Sequence, residues 1–376
     1  MNIAILPWSD KCLDNMMFKV TAEEEDVYTR VFSAQKEYFE SRGNRYETID
    51  QYSNWEEIDW IIVYYGTIYN QYMRSILKKG YQNKLVYYAL EPEVVVPSHN
   101  CHKMKRYLDF FKYIITWNKE AVDNKRIFYI NCPYMMKVDF GDETFEERKL
   151  LTAIYSNKSG RGKKELYSER LKIFQYFEEI KDVFDLYGYG WSSNKLINYR
   201  GQVKNKAKVY HKYRFAIALE NIKGVSGCVS EKIFDCLCAG VVPIYLGAND
   251  IKRYVPENVF IDYGKFNNVG ELHIFLEGID KETWEGYIES ARKYLNSEQT
   301  NKVGVDTYCQ ILEELLCANP AEDIRCNNLK VRVYIIKLWI LDTFFVRGCR
   351  YVWRKILKAL KTINFNRAKK SSVSKS

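Results

Sequence analysis

The stretch whose reading decides the fold is "RFAIALENIKGVSGCVSEKIFDCLCAG", Arg214 to Gly240. An apolar run stops at Glu220-Asn221, loosens through Gly224 and Gly227, and restarts at Ser230-Glu231-Lys232 as a helix. Strand, polar glycine turn and helix in that order make one crossover of an α/β sheet. Ser230 is placed to N-cap a helix from Glu231 to Ala239, with Gly240 as its C′ stop. Free N–H groups and the helix dipole favour a negative group in front of Ser230. Lys232 opposes that dipole at a cost of roughly 0.3–1 kcal/mol, which a bound diphosphate would reverse. The glycine spacing is not that of a P-loop, and a plain structural crossover is the alternative.

The same alternation extends in both directions. Upstream, "NIAIL" (Asn2 to Leu6), "DWIIVYYG" (Asp59 to Gly66), "KLVYYALEP" (Lys84 to Pro92), "YIITW" (Tyr113 to Trp117) and "RIFYINCPYM" (Arg126 to Met135) read as strands. The continuous apolar runs among them suit strands covered on both faces. Helices are predicted over Tyr28 to Ser41, Gln71 to Lys79 and Met104 to Lys112. "KVDFGDETFEERK" (Lys137 to Lys149) lacks an apolar period and marks a linker. The pattern then restarts with strands at Leu150 to Asn157, Val183 to Trp191, Val241 to Gly247 and Asn258 to Tyr263. A helix from Lys164 to Glu179 is expected to turn Leu166, Leu171, Phe174 and Phe177 inward, and Gly270 to Leu316 reads as helical. At 376 residues the chain suggests two such domains, 1–140 and 150–324, joined by 141–149. Open parallel sheets bind ligands at the carboxyl ends of their strands, so the cleft between the domains is the expected site.

Composition narrows the function. Ten cysteines without a C-x-x-C pair, and only four histidines, indicate neither a zinc site nor a disulfide framework. A reducing, cytoplasmic setting is the default. The opening "MNIAILPWSD" reads as a first strand, not a signal peptide. Of the +9 formal charge, the segment from Arg325 to Ser376 holds fourteen Lys and Arg against one acid, Asp342. The body is mildly acidic and the tail basic, which argues against nucleic acid as the partner. From Trp353 the apolar positions Trp353, Ile356, Leu357 and Leu360 follow helical spacing, and Arg350, Arg354, Lys355, Lys358 and Lys361 fill the other face. That is the pattern of an amphipathic helix lying on an anionic membrane surface, with each near-surface cation worth about 1 kcal/mol. Part of Val331 to Val346 packing on the body is the alternative.

"YRFAIALEN…VSEKIFDCLCAGVVPIYLGANDIKRYVPENVFIDY" (Tyr213 to Tyr263) resembles the signature region of glycosyltransferase family 10, the α-1,3/1,4-fucosyltransferases, in its bacterial form. "SNKSGRGKKELYSERLKIFQYF" resembles the family's element opening the donor domain, and "YYALEPEVVVPSHN" (Tyr87 to Asn100) the segment carrying its catalytic glutamate. The resemblance implies a GT-B-like α/β fold, with two Rossmann-like domains facing across a cleft. It implies inverting transfer of fucose from GDP-fucose to a hydroxyl of a cell-surface glycan, lipopolysaccharide or capsule. By motif, Glu91 becomes the base, Arg170 and Lys232 the diphosphate partners, Glu231 a partner of ribose or sugar hydroxyls, and Asn221 a donor-loop contact. The basic ending of the bacterial members implies peripheral attachment, through 325–376, to the inner face of the cytoplasmic membrane, near lipid-linked acceptors.

These residue types suit the chemistry. A carboxylate can take the acceptor's proton, and fixed cations can stabilise the departing diphosphate. No Asp-x-Asp occurs, so a required metal is not indicated. Cys228 and Gln202 stand where the family tends to carry tyrosine, which keeps open a second reading with a different nucleotide sugar. A third reading is a non-enzymatic binder of anionic membrane or nucleic acid through the tail. Glu220 and Trp191 are expected to be structural, and His99 and His102 to lie on the surface.

Overall fold

A computed structural model of the chain describes residues 1–20, 27–64, 71–180, 182–192, 196–318, 329–333 and 335–336. The first sheet contains β1 (Asn2–Leu6), β2 (Arg45–Thr48), β3 (Trp60–Tyr64), β4 (Leu85–Ala89), β5 (Tyr113–Thr116) and β6 (Ile127–Tyr129). They run parallel in the order β2-β1-β3-β4-β5-β6. Among its helices are α1 (Val27–Glu40), α2 (Gln71–Lys78) and the short α3 (Cys101–Met104). β3 and β4 are buried along their whole length, as strands covered on both faces must be. The edge strand β2 is absent from the sequence reading. Its four residues, "RYET", are too short and too polar to stand out.

The second sheet contains β7 (Lys149–Ile154), β8 (Phe184–Tyr187), β9 (Tyr213–Leu219), β10 (Val242–Leu246) and β11 (Ile261–Asp262), parallel in the order β11-β10-β9-β7-β8. With it go α4 (Tyr167–Glu178), α5 (Lys206–Tyr210), α6 (Glu231–Cys238), α7 (Val269–Glu277) and α8 (Lys281–Leu295). The chain passes from β7 out to β8, then returns across β7 to β9. The carboxyl ends of β7 and β9 therefore flank the point where the winding reverses, where such sheets open a ligand crevice. The two-domain GT-B-like architecture read from the sequence is the one observed.

Two packing details differ from expectation. On α4 the buried face is Arg170, Ile173, Phe174 and Phe177, while Leu171 is 36% exposed. Positions 166, 170, 173, 174 and 177 form the helical stripe, and Arg170 takes an inward place with its Nη2 on the Leu219 carbonyl and Asn221 Oδ1. The last long helix, α9 (Val305–Cys317), follows the second domain in sequence but packs in the core of the first. Val305, Tyr308, Cys309, Leu312 and Leu316 lie among Val31, Phe39 and Tyr88. Each fully buried side chain of this size contributes about 1.5–3 kcal/mol. Val331 is also buried on the first domain, and Lys330 pairs with Asp109 at 2.8 Å. The proposed amphipathic helix from Trp353 lies outside the described residues. Among those residues, no helix is long and apolar enough to cross a membrane.

Candidate active site

A cavity of about 570 Å³ opens between the two sheets, and Glu91, Arg170, Asn221, Glu231 and Lys232 all line it. Glu91 comes from the turn after β4. The other four come from α4, the loop after β9 and the start of α6. Residues separated by 141 positions in sequence thus share one wall-to-wall space.

The second-domain wall is organised by Glu220, the first residue after β9. Only 1% of it is exposed, and its carboxylate accepts the Ser230 N–H at 2.8 Å and the Ser230 hydroxyl at 2.6 Å. Ser230 occupies the N-cap position of α6, as expected, but its side chain does not cap the helix. Its hydroxyl is committed to Glu220, so no serine oxygen occupies the first N–H groups of α6. Lys232 donates to the Ser230 Oγ at 3.0 Å and lies 3.2 Å from Glu231 and 3.5 Å from Glu220. Burial works against its charge, yet the Glu231 and Glu220 carboxylates outweigh that and hold its pKa above the ordinary lysine value. The awkward lysine of the sequence is therefore already answered within the protein, before any anion arrives.

Arg170 is 4% exposed, not on a solvated helix face. Its Nη2 donates to the Leu219 carbonyl at 2.7 Å and to Asn221 Oδ1 at 2.9 Å, and its guanidinium lies 4.2 Å over the Tyr155 ring. The Nε is buried without a partner among the described residues. Asn221 is held at its other end by the Leu166 N–H, at 3.1 Å from the Asn221 carbonyl. Lys206, also on the cavity wall, donates to Asp235 at 2.6 Å, and Asp235 accepts the Tyr134 hydroxyl at 2.8 Å.

Across the cavity, β4 ends at Ala89 and Glu91 follows two residues later. The electrostatics place this carboxylate in the same field as the second-domain cation. Burial raises the Cys132 thiol pKa; Glu220, Glu231 and Glu91 add to the rise, and Lys232 opposes it. Tyr167 feels Glu91 and Lys232 in the same opposed senses, after burial and Arg170. A carboxylate and a cation cluster thus face a common space, an arrangement able to take a proton on one side and stabilise a leaving anion on the other. Among the described residues no group of three His, Cys, Asp or Glu could hold a metal ion.

Some residues fall where the sequence reading did not put them. His99 is 2% exposed, not on the surface. Trp191 packs on Phe174 at 5.8 Å and donates to the Tyr155 carbonyl at 2.6 Å, a structural role. Lys206, Trp8 and Trp117 line the cavity and were missed. Lys206 had a local signal, since Asn205 caps α5 just before it. Trp117 had another, as the last residue of an apolar run.

Residues 146–330 match the family model described as glycosyltransferase family 10 (fucosyltransferase) C-term. The alpha-(1,4)-fucosyltransferase of Arabidopsis thaliana is 36% identical over 108 residues, 27% of this chain and 27% of that protein. The GDP-fucose protein O-fucosyltransferase 3 of Xenopus tropicalis is 30% identical over 142 residues, 34% of this chain and 29% of that protein. The chain thus spans less than a third of the length of either curated relative. Among solved structures, an α1,3-fucosyltransferase with GDP overlays with a TM-score of 0.51 at 15% identity, covering 85% of this chain and 91% of that chain. A DNA-modifying β-glucosyltransferase gives 0.54 at 13% identity, covering 84% and 100%. At such identities the overlays report a shared fold.

Proposed function

We propose that this chain, a member of glycosyltransferase family 10 through residues 146–330, transfers fucose from GDP-fucose to a glycan hydroxyl with inversion. The observation that carries the reading is the single cavity lined by Glu91 on one domain and by Arg170, Asn221, Glu231 and Lys232 on the other. In the proposed step the acceptor oxygen bonds to the sugar's anomeric carbon as the bond to the diphosphate breaks. Glu91 takes the hydroxyl proton, and the diphosphate leaves with the electron pair. Lys232, Arg170 and Lys206 stabilise that developing charge, Arg170 as a planar fork and the lysines as point charges. Glu231 holds hydroxyls of ribose or sugar.

The acceptor in this reading is a cell-surface glycan, lipopolysaccharide or capsule, including lipid-linked forms. The basic segment 325–376 would hold the enzyme on the inner face of the cytoplasmic membrane. Cys228 and Gln202 both line the cavity, so a different nucleotide sugar is the second reading. Purified protein offered a panel of GDP- and UDP-sugars decides between them. GDP release with GDP-fucose alone fits the first reading, and UDP release from a UDP-sugar replaces it with the second.

A further inference from the structure

The main chain that carries Glu91 is held at two consecutive carbonyls. Register pairs Ala89 of β4 with Thr116 of β5, so Leu90 and Trp117 leave the sheet side by side. There the Trp117 indole Nε1 donates to the Leu90 carbonyl. A 3₁₀ turn, Pro97–His99, brings His99 back under the same segment, with Nδ1 2.6 Å from the Glu91 carbonyl and Nε2 2.8 Å from Tyr87 OH. A carbonyl only accepts, so Nδ1 carries the hydrogen and Nε2 accepts from the tyrosine. Burial pulls the His99 pKa down to about 4, so this tautomer persists through neutral pH.

Trp117 also reaches the other domain. Its indole, 4% exposed, packs with Ile222, Val225 and Cys228 of the loop that leads to Lys232. Its carbonyl lies 2.2 Å from where a Cβ on Gly227 would stand. One residue therefore touches both the base-bearing turn and the donor loop.

We propose that Trp117 and His99 are positioning residues for the transfer: they pin the Leu90 and Glu91 carbonyls and fix the Glu91 carboxylate relative to the donor loop. This rests on the reading of Glu91 as base. Placement matters because a misplacement of about 1 Å can cost on the order of 100-fold in rate.

Three substitutions in the full-length chain test it. Trp117→Phe keeps an aromatic ring, though a smaller one, and removes the N–H donor. His99→Leu removes both hydrogen bonds, and His99→Asn keeps a donor near the Nδ1 position. Trp117→Phe and His99→Leu should lower kcat about 10- to 100-fold, with donor KM and thermal stabilisation by GDP nearly unchanged, and His99→Asn should recover most of the loss. In a Glu91→Gln background, Trp117→Phe should lower the residual rate no further. Wild-type kcat in Trp117→Phe, or an undiminished loss in the Glu91→Gln background, would overturn the proposal while leaving the base reading intact. Full turnover by Glu91→Gln alone would remove the base reading, and this proposal with it. If His99→Leu does not fold, Trp117→Phe alone decides.

Discussion

Glu220 closes on Ser230 through both carboxylate oxygens, Oε1 taking the backbone N–H and Oε2 the hydroxyl. This contact ties the end of β9 to the start of α6 across the glycine loop, and it sets Lys232 at the cavity wall. Glu220→Ala should cost about 1–3 kcal/mol, because it strands a part-buried donor and removes a counter-charge from Lys232. Urea unfolding with and without GDP reads both effects. Lower stability together with weaker GDP stabilisation is the expected outcome, and unchanged GDP stabilisation would separate this contact from the donor site.

Arg170→Lys tests the fork. One guanidinium nitrogen, Nη2, donates to both Leu219 and Asn221 while the planar group lies over Tyr155. Among the described residues its other nitrogens are left for a ligand, and an ammonium offers neither the plane nor the further donors. Donor KM should rise about tenfold, corresponding to roughly 1.4 kcal/mol. Steady-state kinetics that show no change would assign Arg170 to packing alone.

How much of this was legible beforehand follows from how local each signal is. The strand–loop–helix of 214–240 was readable because apolar run, glycines and helix start are contiguous. The five candidate residues could be named from motif resemblance, and all five line one cavity in the fold. The Glu220–Ser230 bond was not readable, since Ser230 satisfies ordinary N-cap preference and only tertiary structure shows its hydroxyl turned away. Leu171 was misplaced for a similar reason: hydrophobicity favours leucine inside, and only the tertiary partners of Arg170 show that the arginine holds the inward position beside it. His99 looked like a surface residue in a polar turn, and its burial depends on Tyr87, twelve positions upstream. The placement of α9 on the first domain depends on a chain reversal that no local pattern encodes.

Gly227→Ala should loosen the seam between the domains. The residue sits at φ +87, and its added Cβ would collide with the Trp117 carbonyl. The left-handed conformation alone costs about 1–3 kcal/mol for a non-glycine residue, and the collision adds to it. Gly224→Ala, at φ +68 with open space around it, should bear only the conformational cost. Melting temperatures of the two variants, measured side by side, check the difference.

The buried His99 gives stability a defined dependence on pH. Its pKa in the fold, about 4, lies below the usual 6.5. Its neutral form therefore stabilises the fold fully above pH 6.5. That contribution drains as pH falls from 6.5 toward 4, because the unfolded chain takes up a proton that the native site resists. The loss amounts to ~3 kcal/mol at the low end. In His99→Asn, the slope of unfolding free energy against pH in this window should be smaller by about one proton. An identical slope would show that His99 is not the titrating group.

The most direct test of the account is turnover of GDP-fucose by Glu91→Gln. GDP release in the presence of a glycan acceptor, with GDP binding followed in parallel by thermal shift, isolates the proton-transfer role. The variant should fold and bind GDP as the wild type does, while transfer falls by about 100-fold to 10,000-fold. Transfer at the wild-type rate by a folded, GDP-binding Glu91→Gln protein would contradict the assignment of Glu91 as the base.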